Sequence, residues 1–390
     1  MHIEVAPYDI HVTDEALRDL LERLKHTRWP DELPGARWEY GAKRAYMQDL
    51  VSYWQTDFDW RVQEQKINHF ANYRSQLDGL NIHFIHEHGH GPHPLPLLIP
   101  HGWPSSFYEA LEILPLLTDP ARYGGDPADA FDVIVPSLPG YGFSDRPAHP
   151  GMTSRQISAL LVQLMQGLGY ERFAAHAYDI GASILGHLCL DFPHHLIGYH
   201  TTEPANAAPY LGPGAPPLSE AERAYVEYQQ RWDREEGGYD HIQSTRPQTL
   251  AYGLNDSPAG LAAWVIEKWY VWTDPPNGDL DRHFTREQLL ANVMIYWVTE
   301  TINSANRLYY ERDHSPTPRR PEDRIQVPTG VAFTTQQIER APREYLQRIY
   351  TDIRSWIDFG RGGHFILLEE PQLVAEALRT FFRPFRHQPA

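Results

Sequence analysis

Between Asn81 and His364 short apolar runs take turns with helical stretches, and that alternation leaves few architectures open. The runs are "NIHFIHE", "LPLLIP", "FDVIVPSLPG", "RFAAHAYD", "LIGYHTTEP", "IQVPTGVAF" and "SWIDFGRGGH"; the intervening helical stretches include "SRQISALLVQLMQGLG", "GASILGHLCLDFP", "REYLQRIY" and "PQLVAEALRTFF". Strands this short, separated by helices, pair in parallel through crossovers, which predicts an open α/β sheet with helices on its faces. From Ala205 to about Pro321 the alternation stops, and the chain reads as helices and proline-rich loops, one helix starting at Ser257 and Pro258. An insertion of that length between two strands predicts a cap over the strand ends, where such sheets bind ligands. The segment up to about Tyr73 reads as helical, opening on a capping pattern at Thr13 or Asp14 and closing at Pro30. The expected division is therefore an N-terminal helical extension (1–75), an α/β core (76–204 and 322–390) and a helical cap (205–321).

The chain has 390 residues, 42% hydrophobic and 22% charged, ample for a large buried core. Its formal net charge of −17 opposes nucleic acid or an anionic membrane as partner, since phosphate binding needs clustered Lys and Arg. Cys189 is the lone cysteine, so no internal disulfide framework exists; between Leu188 and Leu190 it reads as a packed thiol. "MHIEVAPYDI" has neither a basic start nor an apolar centre, and no run approaches the roughly 18 apolar residues that span a bilayer. A cytoplasmic protein without a membrane anchor is expected. The 11 Trp and 22 Tyr are the unusual figures, many of them between Tyr199 and Tyr310, where they could line an apolar pocket or simply fill a core.

Chemistry concentrates at "AHAYDIGAS", where an apolar run meets a helix rich in small residues. Ala177 and Gly181 flank Asp179 in the pattern small-x-Asp-x-small, which suits a tight strand-turn-helix elbow; the serine form is G-x-S-x-G, and none occurs in the chain. A carboxylate in that slot attacks carbon and leaves an ester that water must cleave. The alternative is an ordinary helix-capping Asp. Two other stretches favour the nucleophile. "LLIPHGWPSS" puts Trp103 after an apolar strand, where such folds place one oxyanion N–H, the second coming from Ile180 after the nucleophile. "RGGHF" puts His364 on a glycine-rich loop after the last strand, so the order nucleophile, acid, histidine fits an α/β-hydrolase triad.

The stretches "RWP", "DFDWR", "HGWPSS", "GGDPADAFDVIVPSLPGYGFS", "HIQSTRPQTLAYGLNDSPAGLAAW", "VPTGVAF" and "RGGHFILLEEP" together resemble epoxide hydrolases of the microsomal type, over nearly the whole chain. The resemblance implies the α/β-hydrolase fold, hydrolysis of an epoxide to a vicinal diol through an ester on Asp179, and no cofactor or metal. It also implies two cap tyrosines that donate to the epoxide oxygen: Tyr239 in "GGYDHIQ" and Tyr309 in "NSANRLYYER", with Tyr310 leaving the register open. Trp103, Tyr178 and Trp264 are the expected substrate contacts. The partner is then a small hydrophobic epoxide, and a homodimer is left open.

One position departs from the family pattern. The triad acid of the family is a glutamate just beyond the "VPTG" strand, where this chain has Gln337, which cannot offset an imidazolium charge. Glu339 lies two residues on, which in a helix start turns it about 200° away. Glu203 follows "LIGYHTT" on the strand after the elbow, where haloalkane dehalogenases carry their acid, and is the favoured replacement. A histidine with no charged partner is the third reading. Two other functions stay open: a haloalkane dehalogenase, which wants a Trp where Ile180 stands, and a triad-impaired relative that binds a hydrophobic ligand or steers epoxide opening without hydrolysis. The five histidines of "HFIHEHGHGPHP" are interrupted by Gly and Pro and read as a surface hairpin rather than a metal site.

Overall fold

The computed structural model describes residues 3–273, 278–335 and 340–386. Among the described residues nine strands form one sheet: β1 Val5–Pro7, β2 Asn72–Leu77, β3 Leu80–Glu87, β4 Leu95–Leu98, β5 Phe131–Pro136, β6 Phe173–Ala177, β7 Leu196–Thr201, β8 Thr329–Phe333 and β9 Ile353–Asp358. Their order is β1-β2-β3-β5-β4-β6-β7-β8-β9. β1, β2, β3 and β5 pair antiparallel, and every pair from β5 through β4 to β9 is parallel. The central strands β6 and β8, "FAAHA" and "TGVAF", are buried at all their residues because helices cover both faces.

The strand order locates the site. After β4 the chain steps outward to β5, then returns past β4 to lay β6 on its other side. The loops leaving β4 and β6 therefore diverge from adjacent strand ends and open a crevice, the topological switch point at which open α/β sheets bind ligands. Gly102 and Trp103 follow β4, and Asp179 follows β6.

The sheet is larger than the sequence pattern predicts. The N-terminal segment contributes β1, which pairs Val5 with Ser75 and Pro7 with Tyr73, besides the helices Asp14–Lys25, Arg44–Thr56 and Trp60–Asn68. The first helix is capped by the Thr13 hydroxyl, which accepts from the Ala16 N–H at 3.2 Å, and it ends at Lys25, five residues short of Pro30. Between β7 and β8 the chain leaves the sheet for the helices Glu220–Glu235, Gly238–Thr245, Pro247–Asp256, Pro258–Trp272, Arg286–Thr299 and Ile302–His314. Ser257 caps the fourth of these by accepting from Gly260 N–H at 3.0 Å, with Pro258 in the first turn where its missing N–H costs nothing. Capping boxes at Ser219/Glu222 and Thr285/Gln288 set two more starts. Among the described residues no helix is long and apolar enough to cross a membrane.

Candidate active site

Asp179 opens the helix Asp179–Asp191 with φ +51°, a left-handed conformation uncommon for a residue with a Cβ. Tyr178 before it is extended, so the chain reverses between strand and helix within one residue and pushes the carboxylate out of the sheet. The small neighbours are steric necessities. A Cβ on Gly181 would overlap the Pro100 carbonyl, and one on Gly102 would overlap the Asp179 carboxylate itself. That close approach lets the Trp103 N–H donate to Asp179 Oδ1 at 2.8 Å, while the Ile180 N–H also donates to the carboxylate. Burial raises the Asp179 carboxyl to about 6; the His364 charge and these two N–H groups pull the other way, and Glu203 adds to the rise.

His364 stands between two carboxylates. Its Nε2 is 3.6 Å from Asp179 Oδ2 and its Nδ1 is 2.9 Å from Glu203 Oε1. Glu203 is buried just beyond β7. Gln337 and Glu339 both lie outside the described residues. Asn206, which sequence reasoning missed, joins the acid to the elbow: its Nδ2 donates to Glu203 Oε2 at 2.8 Å and to the Asp179 carbonyl at 3.0 Å. The local spacing Glu-Pro-x-Asn, with Pro204 opening a single 3₁₀ turn, is the signal that could have found it.

Two cap tyrosines face the carboxylate across an aromatic box. Tyr239 lies parallel to the Trp103 ring at 5.1 Å, Tyr309 meets Trp103 edge-on at 5.9 Å, and the two tyrosines are 6.0 Å apart. Trp272 packs on both Tyr239 and His364. Burial, reinforced by the Asp179 charge, raises both phenols well above their ordinary value, so each keeps its proton and remains a donor. Tyr310 points outward and stacks on His314, while Tyr309 lines the cavity. The helices Gly238–Thr245 and Ile302–His314 are tied by Arg312, which bonds Asp240 through two nitrogens at 2.9 and 2.7 Å and lies over the Tyr309 ring. The i,i+3 spacing of Tyr309 and Arg312 is a readable sign of their own contact, not of the bond to Asp240.

These groups line a cavity of about 480 Å³ bounded by Asp179, Ile180, Glu203, Tyr239, Trp272, Tyr309 and His364, with Val226, Trp232 and Leu308 further out. Two expected substrate contacts lie elsewhere. Tyr178 is not part of this lining: it is fully buried beside Asp179, where burial, reinforced by the nearby Glu109 charge, raises its phenol well above the ordinary value. Trp264 is also outside the lining, on the cap helix Pro258–Trp272 with its indole N–H donating to Gln243 at 3.3 Å. Tyr178 sits at the turn between β6 and its helix and Trp264 in the middle of the cap helix, and neither position opens onto the cavity. Trp103 is fully buried and reaches the site through its N–H and its stacking on Tyr239. The histidine-rich segment puts His83 in the core, bonded to Ser137 and Asn72, and His86 against the Tyr170 hydroxyl.

An elbow at the switch point of a mostly parallel sheet, with a histidine after the last strand and a helical cap above, defines the α/β-hydrolase class. Comparison agrees: the family description "Epoxide hydrolase N terminus" matches residues 5–110, and "alpha/beta hydrolase fold" matches 96–256. Epoxide hydrolase 1 of Sus scrofa is 34% identical over 97% of this chain and 88% of its own. The juvenile hormone epoxide hydrolase of the silkworm Bombyx mori superposes with a TM-score of 0.83 at 30% identity, over 98% of this chain and 94% of that one. The epoxide hydrolase of Aspergillus niger superposes with a TM-score of 0.84 at 28% identity, over 98% and 97%. The chain belongs to the epoxide hydrolase family, of the microsomal type, and is an enzyme of that class.

Proposed function

We propose that the chain converts a small hydrophobic epoxide to a vicinal diol through a covalent ester on Asp179. The observation that carries this reading is the clamped carboxylate: Oδ1 sits on the Trp103 N–H, while Oδ2 faces His364 and the cavity. Oδ2 attacks one oxirane carbon and the C–O bond breaks, with the oxygen taking a proton from Tyr239 or Tyr309. An alkoxide is a poor leaving group unless a donor meets it, and general acid assistance of this kind contributes about 10²-fold or more. His364 then removes a proton from water, and the hydroxide attacks the ester carbonyl. The oxyanion forms at Oδ1, against the Trp103 and Ile180 N–H groups, each typically worth ~3 kcal/mol. Collapse releases the diol and the Asp179 carboxylate, and the proton held by His364 restores the tyrosine.

Glu203 holds the imidazole in the tautomer that presents Nε2 as base, and stabilises the imidazolium that forms. Its 2.9 Å contact supports a complete triad with the acid just beyond β7, despite Gln337. Ile180 stands at the position after Asp179 where a dehalogenase carries a Trp, and the paired tyrosines Tyr239 and Tyr309 line the cavity, which favours the epoxide over a haloalkane. Incubation with styrene oxide tests the reading: wild type should form phenylethanediol, and Asp179→Asn should form none. Diol formation by Asp179→Asn at the wild-type rate would overturn it.

A further inference from the structure

Glu369, five residues after the histidine, has no exposed side-chain surface, yet it is not part of the cavity. Its Oε2 accepts from the Gly363 N–H at 2.8 Å and its Oε1 from the Phe365 N–H at 2.9 Å. The N–H between them, that of His364, donates to the Trp272 carbonyl at 2.8 Å. Three consecutive backbone donors around the catalytic imidazole are thus fixed, two by one carboxylate and one by the last residue of a cap helix. Oε2 also meets His283 Nε2 at 2.8 Å, from the segment that leads into the cap helix Arg286–Thr299.

We infer that Glu369 is a positioning residue for the ester-hydrolysis half of the reaction, holding the 363–365 backbone so that His364 keeps its place between Glu203 and Asp179. The inference rests on the function proposed above. The glycine at 363 belongs to the same device: a Cβ there would come within 2.7 Å of the Trp272 carbonyl and 3.0 Å of Glu369 Oε1, opening the gap the carboxylate bridges. A carboxylate offers an acceptor on each oxygen; a Gln amide would turn its NH₂ against one of these donors and leave it buried and unpaired. Formation of the ester uses Asp179 and the tyrosines and does not call on His364 as base, so the two chemical steps should respond differently.

Glu369→Gln should form the Asp179 ester with styrene oxide within about threefold of the wild-type rate. It should hydrolyse that ester tenfold to a hundredfold more slowly, the usual price of a misplaced catalytic group. In stopped-flow and intact-mass measurements the adduct then accumulates, and kcat and KM fall together. His283→Asn, which removes the cap-side donor and leaves both backbone bonds, should change hydrolysis less than threefold. Should Glu369→Gln fail to fold, Glu369→Asp carries the same test, since it keeps the charge but reaches only one of the two N–H groups. Equal slowing of both steps, or unchanged hydrolysis in a folded variant, would overturn the inference while leaving the proposed function standing. A wild type that forms no ester on Asp179 would overturn both.

Discussion

At the scale of single residues the site is a set of carboxyls in unlike surroundings. Asp179 is buried and its carboxyl is raised to about 6. The folded protein therefore binds this proton more tightly than the unfolded chain, whose aspartate titrates near its ordinary value. The stability this contributes is fully present below the unfolded pKa and is lost as pH rises through about 6. Asp179→Asn removes the buried charge, so its gain in Tm over wild type should be larger at pH 8 than at pH 5; equal gains would contradict the assignment. Glu203 instead meets His364 Nδ1 at 2.9 Å, and in the proposed cycle it acts through that contact. Glu203→Gln should slow ester hydrolysis by about 10²-fold or more and leave ester formation within a few-fold, as read by single-turnover fluorescence. A kinetically silent Glu203→Gln would place the orienting acid elsewhere. Asp179 and His364 were legible in the sequence because their neighbours are small for visible reasons. Glu369 and Asn206 were not, because each acts by bonding backbone groups, and nothing in a polar side chain's identity announces which backbone it will reach.

Elements explain why those residues meet. The elbow works only if the helix Asp179–Asp191 can start directly under the loop after β4, which Gly181 and Gly102 permit. Gly181→Ala drives a methyl into the Pro100 carbonyl and should destabilise the fold by about 1–3 kcal/mol, seen as a lowered Tm and a fall in turnover. An unchanged Tm would mean the corner is looser than its geometry implies. The seven strands from β3 to β9 were visible as short apolar runs, and in β3 to β8 burial on one or both faces demands them. β2 escaped notice because "NYRSQL" is largely polar, and the edge strand β1 because three residues ending in proline carry no period at all. Trp264 illustrates the converse. Its helix is apolar nearly all round, so hydrophobicity alone could not say which aromatic faced the cavity, and Trp272 at the helix end does so instead.

For the molecule as a whole, the N-terminal extension is bound into both other parts. β1 completes the sheet, while Tyr46 donates to Asp281 at 2.6 Å, Arg23 meets Asp256 at 2.7 Å, Arg286 meets Asp49 at 2.5 Å, and Trp38 stacks on Tyr270 at 4.0 Å. Surface ion pairs of this kind contribute little each, so the larger effect is the burial of Leu20, Leu24, Leu50, Trp54 and Trp60 beneath the extension's helices. Deleting residues 1–70 should therefore give insoluble or protease-sensitive protein rather than a core that folds alone; a soluble, cooperatively unfolding truncation would contradict this. A helical reading of the extension conveyed its amphipathic faces but not its strand or its hold on the cap, since both depend on partners far along the chain.

Every step proposed here passes through a transient ester on Asp179. The most direct test is a single turnover, with enzyme in excess over styrene oxide, in ¹⁸O-labelled water, followed by mass analysis of the diol and of the peptide carrying Asp179. Water attacks the ester carbonyl, so the first turnover should leave the label in the Asp179 carboxyl group and deliver unlabelled oxygen to the diol. Label found in the diol, with Asp179 unlabelled, would mean that water opens the epoxide directly and that no such ester forms.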